Sequence, residues 1–153
     1  LKKTLAITVA LLFLIASRAL ALEVDVSGGR INPLPIAITP FLANEGGSEA
    51  ATTIADVISN DLLRSGYFNP LAPESFIERI TSFEQEPRFA DWRQIQAKAL
   101  VTGQVTVAGG KVRAEFRLWD VSSQQQLAAQ QFTASPKNIR RMGHLIADVI
   151  YKR

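Results

Sequence analysis

The sequence predicts an α/β fold, a mixed β-sheet with helices packed on it. Three observations carry that reading. A nearly continuous apolar run at 35–41, bounded by Pro35 and Pro40, precedes an amphipathic helical pattern. Three strand-like segments then follow in series between 100 and 133, and a well-marked amphipathic helix closes the chain. The length of 153 residues suits one ordinary domain, and a hydrophobic share of 47% is too high for a disordered chain.

Residues 1–21 are expected to be an address. Lys2 and Lys3 precede an apolar stretch at 5–16, and Ala19-Leu20-Ala21 offers a small-x-small cleavage site. A membrane span needs about 20 apolar residues, and Arg18 interrupts this run too early. No cysteine follows to accept a lipid. The mature chain is expected to begin near Leu22, without a membrane span, in an exported compartment. Glu23-Val24-Asp25-Val26 alternates acid with valine, as a short strand does, and Ser27-Gly28-Gly29 then loosens the chain. The sequence thus divides into a signal peptide at 1–21, a flexible partner-binding segment at 22–30, and an α/β domain at 31–153.

Within that domain the run at 35–41 reads as a buried strand. A helix is expected at 51–65, with Ile54, Val57, Ile58 and Leu62 on its apolar face and Gly66 as a left-handed cap. A short extended stretch at 67–71 and one or two helical turns at 73–79 follow, with Pro73 at the start. Residues 88–97 read as a helix carrying Phe89, Trp92 and Ile95 on one side. Strands are expected at 100–107, 111–121 and 126–133, the first two joined by a Gly109-Gly110 hairpin turn. In the middle strand Val112, Ala114, Phe116 and Leu118 alternate with Lys111, Arg113, Glu115 and Arg117, which predicts one wet face. The last helix has Ser135 as its cap and Pro136 in its first turn, with Ile139, Met142, Ile146, Val149 and Ile150 as its stripe.

Charge and chemistry exclude more than they offer. Lys2, Lys3 and Arg18 are three of the 17 basic residues, and all 14 acids lie from Glu23 onward. Fourteen of each sign therefore remain after Ala21, and no field for nucleic acid is expected. His144 is the only imidazole, with no cysteine and no serine elbow to serve, and it reads as a helix-face residue. One histidine with scattered carboxylates is a poor start for zinc, so no metal or cofactor site is expected. Gly46-Gly47 sits between strand and helix, but Glu45 and Glu49 beside it would repel a phosphate. Asp91 and Asp120 are the carboxylates a glycan-cleaving enzyme would recruit, provided they face one cleft. Another reading is a glycan- or lipoprotein-binding module using the sheet face around Trp119. The tethered strand at 22–27 offers unpaired backbone groups to another sheet's edge, or to this domain's own sheet.

Several stretches together resemble the N-terminal domain of the TolB family, the periplasmic component of the Tol-Pal system of Gram-negative bacteria. They are the leader with Glu23-Val24-Asp25-Val26, the run at 35–41, residues 54–71, Ala99-Leu100-Val101-Thr102-Gly103-Gln104-Val105, and residues 141–148. Gly103 and His144 fall on positions of the family pattern. The resemblance implies a non-catalytic periplasmic adaptor that binds the C-terminal domain of TolA. The implied contacts are Leu22, Glu23, Val24, Asp25, Val26 and Ser27. It also implies a part in outer-membrane integrity, cell division, protein import and bacteriocin transport. TolB proteins continue into a six-bladed β-propeller that carries the sites for the lipoprotein Pal and some bacteriocins. The sequence stops at Arg153, so neither site carries over.

Overall fold

A computed structural model describes residues 32–153. The signal peptide expected at 1–21, the strand at 23–26 and the partner-binding segment at 22–30 lie outside the described residues.

The described chain runs β1 (Leu34–Ile38), β2 (Leu42–Ala43), α1 (Ser48–Ser65), β3 (Phe68–Pro70), α2 (Phe89–Gln94), β4 (Ala99–Ala108), β5 (Lys111–Asp120), β6 (Gln125–Ala134) and α3 (Ile139–Tyr151). One-turn 3-10 helices at Pro73–Ser75 and Pro136–Asn138 complete it. The strands form one mixed sheet in the order β3-β1-β4-β5-β6, and β2 pairs with β4 beside β1. β1 is parallel to both neighbours, pairing Leu34 to Ile36 with β3 and Ile36 to Ile38 with β4. Parallel neighbours require long crossovers. Helix α1 supplies the first, from the β1–β2 arm to β3, and residues 71–98 supply the second, from β3 to β4.

The two crossovers cover opposite faces, and alternation along the strands separates the cores accordingly. Ile36, Ile38 and Val101 join Ile54, Ile58 and Leu62 of α1 and Met142, Ile146 and Ile150 of α3 in the larger cluster. Ala37 and Leu100, pointing the other way, join Phe89, Trp92, Ala97, Trp119 and Val121 beneath the second crossover. β4 is therefore covered on both sides at its start, where Ala99 to Gly103 are all buried.

Local chemistry fixes the ends. Gly66 closes α1 at φ +75°, as expected, with its N–H on the Leu63 carbonyl. Gly109 and Gly110 turn the β4–β5 hairpin with φ of 56° and 70°, both in the range a two-residue hairpin of this kind needs. α2 ends with Gln96 at φ 64°. The Ala97 N–H bonds the Trp92 carbonyl and the Gln96 N–H bonds that of Arg93, a Schellman arrangement in which a non-glycine holds the left-handed position.

Four expectations are corrected. The run at 35–41 is not one strand: β1 ends at Ile38, Pro40 has no N–H to continue the ladder, and the chain resumes pairing as β2. Asn44 then extends β2 with its side chain, accepting from the Val107 N–H at 2.9 Å and donating to the Val107 carbonyl at 3.0 Å. α1 begins at Ser48, three residues earlier than its apolar stripe suggests. The segment 73–79 forms only a 3-10 turn, because Phe76 is extended and Glu78 is drawn inward. Ser135 makes no side-chain cap; its carbonyl accepts the Asn138 N–H at the entry to α3.

Two glycines mark close approaches. A Cβ on Gly103 would overlap the Phe41 ring, and one on Gly143 would come within 2.7 Å of Val57 where α3 crosses α1. Gly103→Ala is expected to lower unfolding free energy in urea by about 1–3 kcal/mol. The smaller side chain in Phe41→Leu should recover part of that loss in the double variant. Gln96→Gly should raise stability by about 0.5–1 kcal/mol, because it relieves a left-handed residue that makes no packing demand of its own.

Candidate functional site

The carboxyl ends of β1 and β3 are where the crossovers part to opposite faces, and open α/β sheets leave a crevice at such a point. Two grooves of about 550 Å³ and 610 Å³ open there, sharing Pro40, Phe41, Leu42 and Pro73 as the ridge between them. One runs along α1 past Thr52, Asp56 and Ser59. The other runs under the second crossover past Glu74, Glu78, Arg79 and Ile80. Phe41 holds its place because Gly103 leaves room for its ring.

Glu78 is the buried carboxylate of this region, 6% exposed. Its Oε2 accepts from the Trp92 indole N–H at 2.7 Å and from the Arg88 backbone N–H at 2.8 Å. The Arg88 guanidinium lies 3.9 Å from Oε1. One side chain thus ties the irregular loop to α2, and Phe76 packs edge-on against Trp92 with ring centres 5.1 Å apart.

The residues singled out for chemistry are occupied by structure. The Arg88 Nε donates to Asp91 at 2.9 Å, one turn away. Asp120 accepts the Ser122 and Ser123 N–H groups at 2.8 Å each and closes the β5–β6 turn. Those bonds, that to Ser123 foremost, hold its carboxyl below the ordinary value of 3.8 against the opposing effect of burial. Neither carboxylate meets the other in a hydrogen bond or in a shared groove among those described. Trp119 is buried rather than displayed: it packs edge-on against Phe89 and its indole N–H donates to Thr102 Oγ1 at 3.3 Å. The wet sheet face is real only toward the hairpin end of β5. At the other end the second crossover must pass over the sheet, and Arg117 donates to the Phe83 carbonyl and to Glu84 while lying over the Phe83 ring. The Gly47 N–H bonds the Asn44 carbonyl in a plain turn, so no phosphate cradle forms there.

His144 does acquire a partner that sequence alone hides. Its Nδ1 lies 2.5 Å from Asp61 Oδ2, across the α1–α3 contact, and Arg64 holds the other oxygen of Asp61. Burial pushes the Asp61 carboxyl up, but the hydrogen bonds from His144 and Arg64 and their charges outweigh it, leaving it below 3.8. These residues line a shallow recess of about 150 Å³ with Asn60 and Arg140. The arrangement pins two helices and presents no nucleophile. Among the described residues no three His, Asp or Glu side chains converge to hold a metal, and no helix is long and apolar enough to cross a membrane. The expected contacts Leu22 to Ser27 lie outside the described residues.

Comparison with known proteins places this geometry. A family model described as the TolB amino-terminal domain matches residues 22–127. The chain is similar to TolB from Acinetobacter baumannii, with a TM-score of 0.65 and 27% identity over 78% of this chain. It spans 28% of that protein's length. The fold alone is shared with the lipoprotein GNA1162 from Neisseria meningitidis, at TM-score 0.54 and 19% identity, covering 78% of this chain and 96% of that one. It is shared too with the LpoB C-terminal domain from Salmonella enterica, at TM-score 0.53 and 10% identity, covering 71% and 87%.

Two outcomes follow from the polar bonds. Glu78→Ala leaves two donors without their acceptor and is expected to cost about 2–4 kcal/mol in urea unfolding, with Glu78→Gln costing less. Asp61 ionises more readily folded than unfolded, so its contribution is complete above its unfolded value near 3.8 and fades as pH falls through its lower folded value. Stability measured from pH 5 down to pH 2 should therefore drop less steeply in Asp61→Asn than in the parent protein.

Proposed function

The chain belongs to the TolB amino-terminal domain family, and from that premise we propose that it is a non-catalytic periplasmic adaptor of the Tol-Pal system. On this reading it binds the C-terminal domain of TolA through Leu22, Glu23, Val24, Asp25, Val26 and Ser27. The observation that supports it is the reach of the family match, which begins at residue 22 and so takes in the alternating stretch ahead of the α/β domain. A strand of that pattern binds by backbone pairing to a partner's sheet edge, with valines entering apolar pockets and acids steering the encounter. Against catalysis stands the employment of Asp61, Glu78, Asp91 and Asp120 in holding turns and helices together. Service in outer-membrane integrity and cell constriction follows from membership of that system. Pal and bacteriocin binding belong to the propeller of intact TolB and are not proposed for these residues.

Titrating the TolA C-terminal domain against a chain starting at Leu22 and one starting at Ile31 tests the reading. Only the longer chain is expected to bind, with affinity falling at least about a hundredfold on truncation, the scale expected when a whole anchoring segment is removed. Equal affinities would remove the idea.

A further inference from the structure

We propose that the paired grooves flanking Phe41 bind an extended segment of a partner protein in which an apolar side chain stands between cationic ones. The inference concerns a surface distinct from residues 22–27. Each groove lies in the size range of ligand pockets, and each borders the same apolar ridge of Pro40, Phe41 and Leu42. Their charge is lopsided. Asp56 stands on the α1 rim, Glu74 and Glu78 stand on the crossover rim, and Arg79 is the one cation among the lining residues.

Asp56 and Glu74 are exposed and take part in none of the ion pairs among the described residues. Their charge is open to a newcomer. Glu78 adds little, because two N–H donors hold its carboxylate in the wall and the Arg88 guanidinium, 3.9 Å from Oε1, offsets its charge. The negative charge left to meet a ligand is that of Asp56 and Glu74, one on each rim beside the apolar ridge. An acidic segment would meet repulsion at both rims, and a wholly apolar one would leave both rims unmatched. Charge complementarity therefore selects cations on either side of an apolar anchor seated at Phe41 and Leu42. The ridge is also preorganised: Phe41 is buried, with its ring held against Gly103, so binding need not order it.

The test uses the chain from Leu22 to Arg153 labelled with nitrogen-15 and two capped hexapeptides, Lys-Leu-Lys-Ala-Leu-Lys and its counterpart with glutamate for each lysine. The cationic peptide is expected to shift the amide resonances of Phe41, Leu42, Asp56 and Glu74 saturably, and the acidic peptide is not. Asp56→Asn with Glu74→Gln, both at exposed positions, should weaken binding about fivefold to tenfold. Lysine at both positions should reverse the preference. Equal binding of the two peptides, shifts centred away from the grooves, or an affinity untouched by the double substitution would each overturn the proposal.

Discussion

The placement of β1 between two parallel neighbours is the constraint on which the rest of the structure depends. Neither neighbour can be reached by a tight turn, so the chain must cross the sheet twice. Helix α1 and the 71–98 segment take opposite faces, and β1 sends Ile36 and Ile38 to one core and Ala37 to the other. β4 is apolar on both sides at its start for the same reason. The crevice at Phe41 is a consequence of the same topology, since it opens where the crossovers diverge.

The second crossover has little regular structure, and polar bonds do what a helix would otherwise do. Glu78 gathers the loop onto α2, Arg117 reaches from the sheet to the Phe83 carbonyl, and the Schellman turn at Gln96 aims the chain into β4. On the opposite face, Asp61 joins α1 to α3 through His144 near the close crossing at Gly143. Among the described residues no buried side-chain polar atom lacks a partner. Asp61, Glu78, Asp91, Asp120 and the single histidine are thus engaged in holding turns and helices together.

Much of this was legible in sequence because it is local. Gly66, the Gly109-Gly110 pair, the stripe of α3 and the alternation of β5 all act through neighbours a few residues away, and the mixed sheet with packed helices follows from them. What was hidden is long-range. The reason residue 103 is glycine lies in the ring of Phe41, and the partner of His144 lies 83 residues away in Asp61. Trp119 reads as one more residue of an alternating strand until the second crossover is known to pass above it. The break at Pro40 was visible as a residue type, but the return of the chain as β2 depended on Val105 and Val107 of β4 being there to receive it. Asp91 and Asp120 stand out by residue type, but one is taken by the Arg88 guanidinium and the other by the Ser122 and Ser123 N–H groups of a turn. The candidate contacts at 22–27 rest on family likeness, with which the alternation of acid and valine agrees.

Hydrogen exchange on the chain from Leu22 to Arg153, with and without the TolA C-terminal domain, tests the central claim most directly, because it reports where a partner's backbone bonds form. Protection appearing at 22–27, with the sheet and helices of 32–153 unchanged, is the result this account predicts. Protection confined to the α/β domain, with exchange at 22–27 unaltered by saturating partner, would contradict it.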